Sequence, residues 1–222
     1  MRGLPLLALS IATSAYGLPL EDRVKDMRID VSLRNRELYV IEGTDTLYTA
    51  PVAVGSGRTL RYGSRRWKFA TPTGEHRVQR KRQNPMWVPP EWHYVEIAQQ
   101  YNLKVAYLNK PVKLSDGNIL LVRGKQAGIL YRDGVYATMP LEEHIIFDNT
   151  IFIPPPHTLN RLTERTLGSY SLDIGNGYML HGTQNQRSIG HAATHGCMRL
   201  RDNDIEWLYK NVPVGTRVRI RR

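Results

Sequence analysis

A single cysteine, Cys197, lies in the stretch HGTQNQRSIGHAATHGCMRL that fills residues 181–200. It stands two positions after His195 and sixteen after His181, and a glycine follows each of those histidines. A thiol near an imidazole is the minimal set for nucleophilic catalysis, because the histidine takes the thiol proton and leaves a reactive thiolate. Gly196 puts no side chain beside the sulfur, so backbone N–H groups can face a developing oxyanion. Acyl transfer needs a nucleophile, a base and an oxyanion site, and this stretch has a candidate for each. Attack on an amide gives a thioester, which an amine or water then resolves.

Other chemistries fit less well. A lone cysteine is usually a small buried hydrophobe, but His-Gly before it and Arg199 after it argue for reactivity. His181, His191, His195 and Cys197 form a ligand set that zinc accepts. Ligands four apart ask for a helix, and Gly190, Thr194 and Gly196 make 191–195 a poor one. Arg199 has an alternative as the ion-pair partner of Asp202 or Asp204. No serine has a lysine three residues on, G-x-S-x-G is absent, and no phosphate-binding or dinucleotide loop appears. No metal or cofactor is implied.

The elements that must carry this stretch are mostly strands. Apolar residues alternate at Ile29, Val31 and Leu33, and turn signals at 34–36 and 42–45 separate further strands at 37–41 and 46–54. The glycine- and arginine-rich 55–63 reads as a loop, Thr71-Pro72-Thr73-Gly74-Glu75 as a rigid turn, and 76–81 as the next strand. Pro89-Pro90 opens a short helix over 91–101, and 119–135 reads as a hairpin. Trp67, Trp87 and Trp92 are expected to pack in the core rather than line a groove. Residues 91 to about 150 read as an insertion or cap on the main sheet. Alternation returns over 170–181, which places His181 at a strand end, ahead of the loop with Cys197. Asn203 and Glu206 suggest a capping box for a helix over 202–212, and 217–220 forms a last strand.

Residues 1–17 have the pattern of a cleaved export signal, with Arg2, an apolar run over 4–12 and Ala15-Tyr16-Gly17. The apolar run is too short to span a membrane, and residues 18–222 suffice for one well-buried domain. Export leads to an oxidising compartment, where one unpaired thiol is either accidental or reactive. A net charge of +11 favours polyanionic partners. In a periplasm or cell envelope those are acidic wall polymers or anionic headgroups rather than nucleic acid.

His181-Gly182-Thr183, Ser188-Ile189-Gly190, Thr194-His195-Gly196-Cys197-Met198-Arg199-Leu200, the 202–212 helix and Val214-Gly215-Thr216-Arg217-Val218 together resemble the catalytic domain of the L,D-transpeptidases (YkuD-type, ErfK/YbiS/YcfS/YnhG-like). Thr71-Pro72-Thr73-Gly74-Glu75 matches a further arm of that family. The resemblance covers most of residues 18–222 apart from 91–150, and it implies a mainly β sandwich with short helices. It implies Cys197 as nucleophile and His181 as general base, its ring held by the carbonyl of Gly182. His195 would line the site, Gly196 and Cys197 would form the oxyanion hole, and Thr194 and Arg199 would contact substrate. The implied substrate is the peptidoglycan stem tetrapeptide, with loss of D-alanine and acyl transfer to another stem or to a wall-anchored protein. An L,D-carboxypeptidase or hydrolase of wall-linked protein, a non-catalytic wall-binding module and a zinc-binding domain remain as alternatives.

Overall fold

The computed structural model describes residues 26–222, so the expected export signal lies outside the described residues. The alternation at Ile29 and Val31 builds Met27–Ser32, which pairs antiparallel with Glu37–Glu42 and parallel with Arg217–Arg221. Asp45–Pro51 and Gly74–Arg77 complete a five-stranded sheet at its two edges. A second sheet of four strands runs in the order Met198–Arg199, Tyr178–His181, Tyr170–Gly175 and Arg80–Gln83. The inward faces meet in one core. Ile29, Val31, Leu38, Val40, Val218 and Ile220 of the first sheet and Leu172, Ile174, Leu180 and Met198 of the second are all at most 2% exposed. Each such side chain contributes about 1.5–3 kcal/mol by leaving water. Helix α2 (Asp202–Asn211) adds Ile205 and Leu208 to the same core. The architecture is the expected mainly β sandwich with short helices.

Three local expectations fail for physical reasons. Residues 55–63 are not a loop throughout, because Thr59–Tyr62 pairs with Arg65–Lys68 in a hairpin. Its turn and its charged strands hide the signal, since only Leu60, Tyr62 and Trp67 turn toward the interior. The strand expected at 76–81 is two strands. Gly74–Arg77 belongs to the five-stranded sheet and Arg80–Gln83 to the other, and the chain bends between them at buried Val78. The Asn203–Glu206 capping box does not form. Arg201 is the N-cap and makes no side-chain cap, and Asp202 and Asp204 complement the helix dipole instead.

Residues 91–153 carry structure of their own. Helix α1 (Glu91–Gln100) precedes a three-stranded sheet, Ile145–Phe147, Thr150–Ile153 and Lys104–Tyr107, and a four-stranded sheet centred on the hairpin Ile119–Arg123 and Gln126–Leu130. Leu108, Leu120, Ile145 and Phe152 form one apolar cluster here, and Tyr94, Ala98, Ile151 and Ile153 another. Val95 packs α1 against Leu60 and Phe69 beside the 59–68 hairpin. Glu91 pairs with Arg65, and Gln99 donates to the carbonyl of Arg61. Arg161, 7% exposed, donates to the carbonyls of Pro89 (2.7 Å) and Pro154 (2.6 Å) and lies over the ring of Tyr94. One guanidinium thus fastens the chain where it enters and leaves this segment. Among the described residues no helix is long and apolar enough to cross a membrane.

Candidate active site

The second sheet sets the floor of the site. Tyr178–His181 and Met198–Arg199 run parallel, with Leu180 opposite Met198 and His181 opposite Arg199. Side chains alternate along a strand. Leu180, Met198 and Leu200 therefore point into the core, fully buried, while Cys197, Arg199 and His181 emerge together on the other face. They open into a cavity of about 670 Å³. His195 and Thr194 also border it, and so do Trp67, Trp87 and Trp92. The tryptophans are half-buried and do both jobs, since Trp67 and Trp92 also pack on Phe69 and Val95. That corrects the expectation of simple core packing.

The electrostatics favour neutral groups at rest. His181 is 4% exposed, and its Nδ1 lies 2.6 Å from the carbonyl oxygen of Gly182. A carbonyl only accepts, so Nδ1 carries the proton and Nε2 is the free base of the neutral ring. Burial pulls the His181 pKa down to about 4, against a smaller upward contribution from that hydrogen bond. Cys197 is largely enclosed but keeps a face to the cavity, and burial raises its pKa. The backbone N–H of Met179 and the charge of Arg199 act the other way and favour the thiolate. The thiol lies 3.8 Å from the carbonyl of Gly177, and no hydrogen bond joins it to His181. Thiol and imidazole are therefore both uncharged near neutral pH, and the proton has to move during attack.

The loop before Cys197 is fixed from three sides. Ala53 exchanges backbone hydrogen bonds with Arg199, at 2.9 and 3.0 Å. The Thr71 hydroxyl donates to the carbonyl of Gly196 at 2.9 Å and accepts from the N–H of Gly55 at 2.8 Å. Gly55 is needed for that approach, because a Cβ there would lie 2.4 Å from the Thr71 nitrogen. Gly196 has φ +131°, a conformation that side chains rarely adopt, and a Cβ would meet Tyr178 at 2.8 Å. Thr194 differs from its expected role. The residue is 2% exposed, and its hydroxyl donates to the carbonyl of Cys197 at 2.6 Å and accepts from the N–H of Gly196 at 3.1 Å. It shapes the loop instead of reaching for substrate. Gly196 likewise has its N–H turned inward, so of the expected oxyanion pair only the N–H of Cys197 is without an acceptor among the described residues.

Arg199 borders the cavity half-buried and pairs with no carboxylate among the described residues. The alternative partners are otherwise placed: Asp204 accepts from Tyr48, and Asp202 sits against Gly182. His191 is exposed and does not border the cavity. Among the described residues no three His, Cys, Asp or Glu side chains gather as metal ligands.

His195 has a partner the sequence reading missed. Its Nε2 lies 2.8 Å from Glu96 Oε2, and its ring stacks on Trp92 at 4.0 Å and meets Phe69 edge-on at 4.4 Å. Burial lowers its pKa, while Glu96 pulls upward. Trp92 and Glu96 are one helical turn apart on α1, a spacing that puts them on one face. That i, i+4 pair was the available signal, but nothing in it names His195 as the target.

The sequence family described as the YkuD L,D-transpeptidase catalytic domain matches residues 26–220. The chain is 28% identical over 203 residues to the probable L,D-transpeptidase ErfK/SrfK of Salmonella typhimurium, covering 91% of this chain and 46% of the relative. It is 45% identical over 65 residues to the probable L,D-transpeptidase YbiS of Escherichia coli K12, covering 29% of this chain and 21% of the relative. It spans less than half the length of either. Among solved structures, an L,D-transpeptidase from Xylanimonas cellulosilytica superposes with a TM-score of 0.46 at 15% identity, over 88% of this chain and 60% of that one. One from Mycobacterium smegmatis superposes with a TM-score of 0.45 at 14% identity, over 89% and 59%.

Proposed function

This chain belongs to the YkuD family of L,D-transpeptidase catalytic domains, and from that premise we propose that it is a cysteine-dependent L,D-transpeptidase acting on peptidoglycan stem tetrapeptides in the cell envelope. One observation carries the reading: Cys197 and His181 open into one cavity that also receives Arg199, a half-buried cation with no carboxylate partner among the described residues. A guanidinium so placed suits a substrate carboxylate. Arg66 and Lys68 border the same cavity, and no carboxylate does among the described residues.

In the first half-reaction Cys197 Sγ bonds to the carbonyl carbon of the third stem residue while its proton passes to Nε2 of His181. The oxyanion faces the N–H of Cys197, the one left without an acceptor. Collapse breaks the C–N bond, the D-alanine amine leaves with the proton from His181, and a thioester remains. An acceptor amine from a second stem or a wall-anchored protein then takes the acyl group and restores the thiol. Residues 18–222 act as one catalytic domain, with 91–150 as an inserted cap that walls the cavity.

The cation-only lining supports a second reading, in which water is the acceptor and the product a tripeptide, because it disfavours a protonated amine. Intact-protein and product masses after incubation with disaccharide-tetrapeptide separate these. Loss of D-alanine with a thioester adduct and a cross-linked dimer is expected for a transpeptidase, and adduct with tripeptide alone for a hydrolase. Cys197→Ala is expected to form no adduct. Full turnover by that variant would sink the mechanism, and sacculus binding without any adduct would leave a binding module.

A further inference from the structure

Of the three imidazoles that border the cavity, His181 and His195 have opposite tautomers. An ionised carboxylate only accepts hydrogen bonds, so Nε2 of His195 carries the proton that faces Glu96, and Nδ1 of the neutral ring is a lone pair. Nδ1 has no hydrogen-bond partner among the described residues, and the ring borders the cavity two residues from Cys197. Trp92 and Phe69 hold the ring plane, and Arg58 lies 3.7 Å from the other oxygen of Glu96. Trp92 and Glu96 both come from α1, so two of these supports belong to the inserted segment.

We propose that Glu96 is a positioning residue for His195, and that the Glu96–His195 dyad takes the acceptor's proton when the Cys197 thioester is resolved. This rests on the thioester reading above and deepens it. The argument is where a positive charge can stand. Arg66, Lys68 and Arg199 surround the cavity, and no carboxylate borders it among the described residues. His181 is enclosed beside Arg199 and has only backbone groups, of Gly182 and Leu167, for partners. His195 alone of the two has an anion behind its ring, so the new charge is neutralised where it forms.

The step balances. The amine nitrogen attacks the thioester carbonyl and the N–C bond forms, while one N–H proton passes to Nδ1 of His195. The C–S bond breaks with its electrons on Sγ, and the thiolate then takes up that proton, which regenerates thiol and neutral imidazole. With water in place of the amine the same transfers give a carboxylic acid.

The test uses the whole chain loaded with disaccharide-tetrapeptide, following thioester formation and its resolution separately by intact mass. Glu96→Gln keeps the hydrogen-bond acceptor but removes the charge; it is expected to acylate within about 3-fold of wild type and to resolve the thioester about 10–100-fold more slowly. Glu96→Asp is expected to recover part of that rate. Hydroxylamine, which reacts without base assistance, is expected to clear the adduct equally from both forms. Imidazole nitrogen NMR is expected to report His195 as the Nε2–H tautomer in wild type and as a mixture in Glu96→Ala. Resolution at the wild-type rate in Glu96→Gln, or an equal loss of acylation and resolution, would overturn the proposal. Absence of a thioester in wild type would instead remove the reading on which it rests.

Discussion

The half of the cavity built on strands and the half built on α1 hold their histidines by different means. His181 ends a strand, is shut away from water and is oriented by the adjacent carbonyl of Gly182. His195 lies in a loop, is half-buried, and is oriented by a carboxylate 99 residues away and by the face of an indole. The first arrangement depends on local backbone and survives wherever the strand pair forms. The second exists only where α1 docks. On the proposed reaction, the base for thioester formation is thereby fixed by the sheet, and the base for the acceptor step by α1.

The comparison breaks most visibly in kinetics. His181→Ala is expected to slow thioester formation about 10²–10⁴-fold, whereas His195→Ala is expected to leave it within a few-fold, as read by adduct mass over time. Equal losses would merge the two halves into one machine.

A pH titration sharpens the same contrast. The folded His181 pKa lies near 4 against an ordinary 6.5. Between those values the unfolded chain holds more protons, so its contribution to stability is complete above pH 6.5 and is lost as the pH falls toward 4. That loss is about 3 kcal/mol, measurable from urea midpoints, and His181→Gln is expected to flatten the profile by that part. Smaller again is the effect of Thr71→Val, which leaves the Gly55 N–H without its acceptor and removes the donor to Gly196. It is expected to cost about 1–3 kcal/mol in a denaturant titration, and to loosen the Cys197 loop more than α1.

The same division explains what could be read from sequence. Strands with alternating Ile29, Val31 and Leu172, Ile174 announce themselves, and Cys197 with His181 sits within twenty residues under one motif. Hydrogen-bond direction does not announce itself. Thr194 and Gly196 have the residue types of a substrate contact and an oxyanion donor, yet the Gly196 N–H donates to the Thr194 hydroxyl, which donates to the carbonyl of Cys197. Thr71 was visible as part of a turn, but its bond to Gly196 spans 125 residues. Glu96 looks like any charge on a solvated helix face until α1 is docked. The 59–68 hairpin was masked because four of its eight paired residues are arginine or lysine, leaving little apolar alternation to detect.

Arg161 holds Pro89 and Pro154 on one guanidinium, so the chain departs from the sandwich and rejoins it at neighbouring points. An excursion closed at its neck can lengthen, shorten or be exchanged without pulling on the sheets beneath. On the proposed function, the choice of acceptor can thus be rewritten as a cassette, with Arg161 marking where the cut would fall.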